Sequence, residues 1–289
     1  MTREKKTTLS FFAYISPWLL GFACFGLFPP VYSLYISFCH YQMGGTPVFA
    51  GFQNYIDLFK YEKYFFTTLK NTFVFMTATT VFGMGLGLLF SLMINAVPEA
   101  KRFYQTVYYL PAILPFIAGT MLWESMYVKY GILNGILTTM GFDRVLFLGH
   151  KNAMKSLVVM SVWGGVGGKI TMFLPAVAGV PKDLLETMDL DGANAWQKFC
   201  HVTLPMISPT IFYLLIMDII GGLQAYGPMM MLGGGTATIT ATLQIYNYAM
   251  IDHTMGYASA YAWIIFLIVL AVTFVFFKFG GKKVYYVDE

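Results

Sequence analysis

Long uncharged stretches alternate with short polar ones along this chain. Residues 11–38, 71–97, 103–123 and 255–277 contain no Asp, Glu, Lys or Arg. Residues 156–180 are broken only by Lys169, and 206–232 only by Asp218. A helix needs roughly 20 apolar residues to cross the hydrocarbon core of a bilayer. Each stretch therefore predicts one span, and the fold class is an all-α membrane protein with six transmembrane helices. The first stretch is too long for a signal-peptide core and lacks a small-residue cleavage site, so it reads as a retained helix. Its Pro17, Pro29 and Pro30 predict a bend and an irregular outer end. Gly83, Gly85 and Gly87 mark places where helices can approach closely. Pro111 and Pro115 fall inside the third stretch. Neither a linker nor a low-complexity tract interrupts the pattern, which predicts a single membrane domain over 1–289 with both termini on one side.

The segment 181–205, between the fourth and fifth stretches, follows a different pattern and is too polar to span. Pro181 suits a first helical position. Asp183 and Glu186 put negative charge at the positive end of a helix, and Leu184, Leu185 and Met188 make an apolar stripe. Gly192 breaks the run as a C-terminal glycine does. A second short amphipathic helix follows, with Trp196 and Phe199 at i, i+3, and Pro205 ends it. The expected product is two short helices hinged at a glycine. An amphipathic loop lying on the membrane surface is the simpler alternative.

Composition narrows the class. Only 11% of the 289 residues are charged, 57% are apolar and the mean hydropathy is +0.64. A soluble domain carries roughly 25% charged residues, so most of this surface faces lipid or other helices. The net charge of +4 is small and dispersed, which excludes a nucleic-acid surface. With the N-terminus inside, the inner segments carry ten Lys or Arg and the outer ones seven, and Lys169 lies in a span. That bias, together with basic residues flanking both terminal spans, places both termini in the cytoplasm. Cys24, Cys39 and Cys200 show no C-x-x-C spacing, and the four histidines are scattered, so neither a disulfide framework nor a metal site follows. GGVGGKIT at 164–171 imitates a phosphate-binding loop, but Trp163 stands where the first glycine is needed and Ile170 where Ser or Thr is needed. Paired carboxylates and nucleophile–base sets are also missing from the sequence, so no catalytic residue is assigned.

The 180–205 segment, VPKDLLETMDLDGANAWQKFCHVTLP, resembles the EAA loop of ATP-binding-cassette importer permeases. That pattern runs E-A-A, three residues, Gly, nine residues, then I-x-L-P. Glu186 takes the Glu position, Gly192 the Gly position, and Val202, Leu204 and Pro205 the last three. Asp191, Gly192 and Ala193 reproduce the D-G-A common in carbohydrate importers, while Thr187 and Met188 replace Ala-Ala. Further resemblances are GFQNY at 51–55, YYLPAILP at 108–115, YGILN at 130–134, LGGGTATIT at 232–240 and GYASA at 256–260. They are similar to the maltose/glycerol-phosphate-type first permease of such systems and cover nearly the whole chain.

The resemblance implies a prokaryotic inner-membrane permease for a sugar. Its implied partners are a second permease subunit, two cytoplasmic ATPase subunits that hold the ATP and Mg, and an extracytoplasmic sugar-binding protein. Glu186, Asp191, Gly192, Ala193 and Pro205 would then couple the chain to the ATPases. The family's sugar contacts, carried over by position, fall on Gly164, Gly165 and Gly168 of span four and on Met217, Ile220, Gly221 and Gln224 of span five. Gly168 and Ile220 replace aromatic rings of the maltose-type site, which argues for a roomier cavity or another glycan. Gln224 has a competing reading as an inter-helix hydrogen bond, and the glycines have one as packing sites. Lys169 and Asp218 lie at similar distances from the inner ends of their spans, which predicts that they pair near the midplane or face one wet cavity. The same two charges support the rival reading, an ion-gradient-driven secondary transporter that relays protons through Lys169 and Asp218. That reading leaves the 181–205 segment unexplained.

Overall fold

The computed structural model describes residues 3–281 and 285, and Lys282 and Lys283 of the charge count lie outside the described residues. Those residues are helical apart from turns and one antiparallel ladder, Cys39–His40 against Val48–Phe49. Among the described residues four helices are long and apolar enough to cross a membrane: α1 (Tyr14–Ser37), α3 (Phe65–Asn95), α7 (Ala153–Ala178) and α13 (Met255–Gly280). Between α1 and α3 lies the short α2 (Gln53–Lys60). Two bent helix pairs bring the count of candidate spans to six.

The bends correct two expected spans. The third, 103–123, is not one rod: α4 (Lys101–Ile113) meets the segment Phe116–Thr139, which opens with α5 (Phe116–Tyr127), at a 92° bend. Leu114 is extended (φ −63°, ψ 133°) because the ring of Pro115 excludes helical backbone from the residue before it. The short α6 (Ile132–Thr139) follows. The fifth span, expected over 206–232, reduces to α10 (Ser208–Leu223), set at 69° to the preceding α9 (Ala195–Met206). The break falls at Ile207 (φ −89°, ψ 2°), two residues after Pro205. A π-turn over Phe199–Thr203 precedes the proline and absorbs its missing N–H. α10 ends at Leu223, just past Gly221 and Gly222, and α11 (Gly227–Leu232), with Pro228 in its first turn, is separate. In α1 likewise, a π-turn over Phe22–Leu27 lets the helix continue through Pro29 and Pro30.

The chain's internal contacts divide it into two compact units. In the unit of Tyr64–Gln244 with Leu267–Glu289, α7 packs along α3 and α4, and α10 along α3. Lipid tails are as apolar as the side chains, so close approach matters more than water exclusion here. Gly167 supplies it, since a Cβ there would lie 2.5 Å from the Tyr108 carbonyl oxygen. Gly222 does the same against Met76, at 2.7 Å. Two of the motifs prove to be clasps. Asn134 of YGILN is buried and holds Val145 from both sides, accepting its N–H at 2.8 Å and donating to its carbonyl at 3.0 Å. The LGGGTATIT loop receives Asn71, whose amide donates to the carbonyls of Thr236 and Ile239.

The other unit, Met1–Lys63 with Ile245–Phe266, contains the GFQNY motif. Gly51 takes a left-handed φ of 59°. Asn54 is buried and donates to the carbonyls of Ser37 and Cys39 at 2.8 and 2.9 Å, fastening α2 to the end of α1. The short α12 (Ala241–Tyr246) runs into a π-turn over Asn247–Ile251 before α13.

Candidate functional site

Between α7 and α10 the two membrane-embedded charges meet. Lys169 Nζ lies 2.9 Å from Asp218 Oδ1. The lysine stem runs along α3, where Gly83 and Gly87 leave it room: a Cβ would sit 3.0 Å from Lys169 Cε at Gly83 and 2.7 Å from Lys169 Cβ at Gly87. Gly85 faces open space. The ion pair therefore links three helices at once. Beside it is a cavity of about 180 Å³ lined by Phe75, Thr79, Ser161, Val162, Lys169, Met217, Asp218, Gly221 and Gly222.

Four of the expected pathway residues thus come together: Lys169, Asp218, Met217 and Gly221. Gly164 and Gly168 are open, since a Cβ would meet nothing within 4 Å, and Gly165 has only Lys169 Nζ at 3.9 Å. Within this chain these three are not packing glycines; Gly167 is. Ile220 is half-buried outside the cavity lining. Gln224 does not lie on the span. It follows the last residue of α10 with non-helical backbone (φ −99°, ψ 6°), is exposed and is not part of the cavity lining. Ser161 and Thr79 were missed by sequence reasoning, because single hydroxyls are common in spans and carry no spacing signal. Ser161 stands two turns before Lys169, which is the one clue that existed.

The 181–205 segment forms the expected pair of helices, α8 (Lys182–Leu190) and α9. Pro181 precedes the first helical residue instead of occupying it. Gly192 is the hinge, at φ 73°. Around it the Gly192 N–H donates to Asp189 O at 3.0 Å and the Ala193 N–H to Met188 O at 2.9 Å, closing the carbonyl end of α8. Asn194 then opens α9 with a reciprocal cap: its side chain accepts from the Gln197 N–H, and Gln197 accepts from the Asn194 N–H. Lys198 Nζ reaches back across the hinge to Asp189 at 2.6 Å. Leu185 and Val202 anchor the pair to a core of Val177, Val180 and Ile207 that also holds Leu88, Leu92 and Ile211. The hinged pair is thereby packed against α3, α7 and α10. Glu186 and Asp191 are exposed, Leu190 is 89% exposed, and Trp196 packs its ring against Phe199 at the edge of a groove shared with Leu88, Leu92 and Leu185.

A second concavity lies in the other unit, about 700 Å³, lined by residues including Tyr41, Asp57, Tyr248, Asp252 and Tyr257. Glu62 accepts from the hydroxyls of both Tyr248 and Tyr257. His253 nearby takes a left-handed φ of 56°. Among the described residues no group of three or more His, Cys, Asp or Glu side chains could hold a metal ion.

Known proteins share this architecture. The chain is 30% identical over 290 residues to the probable ABC transporter permease protein YesP of Bacillus subtilis, covering 98% of this chain and 94% of that one. It is 28% identical to the arabinooligosaccharides transport system permease protein AraP of Halalkalibacterium halodurans (94% and 90% covered). It is 30% identical to the sn-glycerol-3-phosphate transport system permease protein UgpA of Agrobacterium fabrum (94% of each). A chain of the crystal structure of a bacterial ABC transporter involved in the import of the acidic polysaccharide alginate superposes with a TM-score of 0.83 over 94% of this chain and 95% of that one, at 24% identity, which shows the common fold. The profile of the family described as binding-protein-dependent transport system inner membrane component matches residues 80–280. This chain belongs to that family of inner-membrane transport components.

Proposed function

We propose that this chain is the permease subunit of an ATP-driven, binding-protein-dependent sugar importer. In this reading residues 1–289 make one permease domain that forms half of a translocation pathway, shared with a second permease subunit. Two cytoplasmic ATPase subunits hold the ATP and Mg, an extracytoplasmic sugar-binding protein delivers the cargo, and this chain is not an enzyme. The observation that carries the proposal is the hinged helix pair α8–α9. It presents Leu190 fully to the outside, beside the exposed Glu186 and Asp191, while Leu185 ties it to three spans. Such a piece converts the movement of a docked partner into movement of the spans. Glu186, Asp191, Gly192, Ala193 and Pro205 take the coupling roles. Gly164, Gly165, Gly168, Lys169, Met217, Asp218, Ile220 and Gly221 line or flank the path, and Gln224 waits at its outer end. A sugar as cargo is supported by relatives named for arabinooligosaccharides and for alginate. In this reading six spans group α8–α9 with both termini on one side of the membrane, and docking to the ATPase subunits makes that side the cytoplasm.

The ion-gradient alternative assigns Lys169 and Asp218 to proton relay, but it gives α8–α9 no task. The deciding experiment is coexpression with the ATPase subunits. The wild-type chain should copurify with them and support substrate-stimulated ATP hydrolysis. A chain that reaches the membrane yet neither binds an ATPase nor stimulates one would refute the proposal.

A further inference from the structure

We infer that Asp218 sets the charge preference of the pathway, so that the seam between α7 and α10 takes the uncharged hydroxyl edge of a sugar and not a carboxylate. The inference rests on the reading of these two helices as the path. Lys169 is the one Lys or Arg in 156–180 and 206–232, and Asp218 cancels its charge at 2.9 Å. The pair leaves specific valences unfilled. Asp218 Oδ2 and Ser161 Oγ are both buried without a hydrogen-bond partner among the described residues, and both residues line the 180 Å³ cavity. Thr79 cannot serve them as a donor, because its hydroxyl is committed to the Phe75 carbonyl at 2.8 Å.

The unmet demand is for a group that donates to Oδ2 and also accepts from Lys169 or Ser161. A hydroxyl does both. A carboxylate only accepts: it would engage the ammonium, leave Oδ2 empty and place a second anion beside Asp218 in a region of low dielectric, where like charges repel strongly. The cavity is smaller than the roughly 300–1,000 Å³ of a whole-ligand pocket, so it receives an edge of a sugar ring. The remainder of the sugar has space along the open faces of Gly165, Gly168 and Gly221, where a Cβ would meet nothing closer than Lys169 Nζ at 3.9 Å. Gly165 in particular puts no side chain between that open face and the ammonium.

The test uses the assembled transporter in lipid nanodiscs without its binding protein, so that the external protein's own selectivity is bypassed. Radiolabelled neutral arabino-oligosaccharide and an oligouronate of equal length are compared by equilibrium binding. The wild-type complex should bind the neutral sugar at least tenfold more tightly. Asp218→Asn should move that ratio at least tenfold toward the uronate. The wild-type ratio needs no variant, so the inference stays exposed if Asp218→Asn does not assemble. A wild-type preference for the uronate, or an unchanged ratio in an assembled Asp218→Asn complex, would overturn the inference and leave the path reading intact. Failure of Gly165→Leu to reduce either sugar's binding or uptake would overturn both.

Discussion

At the scale of single residues, the account turns on Lys169. Its stem occupies the notch left by Gly83 and Gly87, and its ammonium neutralises Asp218. A lone charge at the bilayer centre costs at least roughly 2.5–3.5 kcal/mol, and removing one member of a buried pair leaves such a charge behind. Lys169→Met and Asp218→Asn should each lower the yield of assembled complex, and the double neutral variant should restore assembly, as read by size-exclusion profile and ATPase copurification. If the double variant assembles but does not transport, the charges belong to the substrate path. Single variants that both behave like wild type would show the two residues to be uncoupled. A second contrast separates packing glycines from open ones. Gly167→Ala pushes a methyl against the Tyr108 carbonyl, an overpacking cost of typically 1–3 kcal/mol, whereas Gly168→Ala meets nothing. The melting temperature of the purified complex should fall for the first and hold for the second. The ion pair was legible in the sequence because two lone charges sat at matched depth in neighbouring spans. The glycine sorting was not: four glycines in GGVGG look alike, and only the neighbouring helix α4 decides which one has to be small.

At the scale of elements, the hinge is set by backbone and not by crowding. A Cβ on Gly192 would meet nothing within 4 Å, yet its φ of 73° is one that few side chains tolerate. Asn visits that region far more readily than a β-branched residue does. Gly192→Asn should therefore keep most coupling, while Gly192→Val leaves the protein in the membrane but separates ATP hydrolysis from transport. Equal transport by Gly192→Val and wild type would contradict this. The neighbouring cap gives a graded test. Asn194→Ala removes a capping interaction worth on the order of 1 kcal/mol, and should raise protease sensitivity at the hinge without abolishing assembly. The loop's character was readable from its pattern of Pro, acidic first turn and Gly. The two sharp bends were not. A run of uncharged residues such as 103–123 reports that lipid or protein surrounds it, but not that Pro115 turns the chain by 92° within it. For the same reason Gln224 was placed on a helix that ends one residue before it.

At the scale of the whole molecule, the described residues carry four to six candidate spans and the hinged pair α8–α9, and the chain belongs to a family of transport components. In the proposed account that pair meets an ATPase on one side of the membrane while sugar arrives from the other. The most direct measurement is uptake of a radiolabelled neutral oligosaccharide into proteoliposomes that contain this chain, its partner permease and the ATPase subunits. The binding protein is added outside, ATP is enclosed inside, and ionophores collapse all ion gradients. The account predicts uptake that requires both ATP and the binding protein, survives the ionophores and disappears with Gly192→Val. Uptake that proceeds without ATP and stops when the gradients collapse would contradict it.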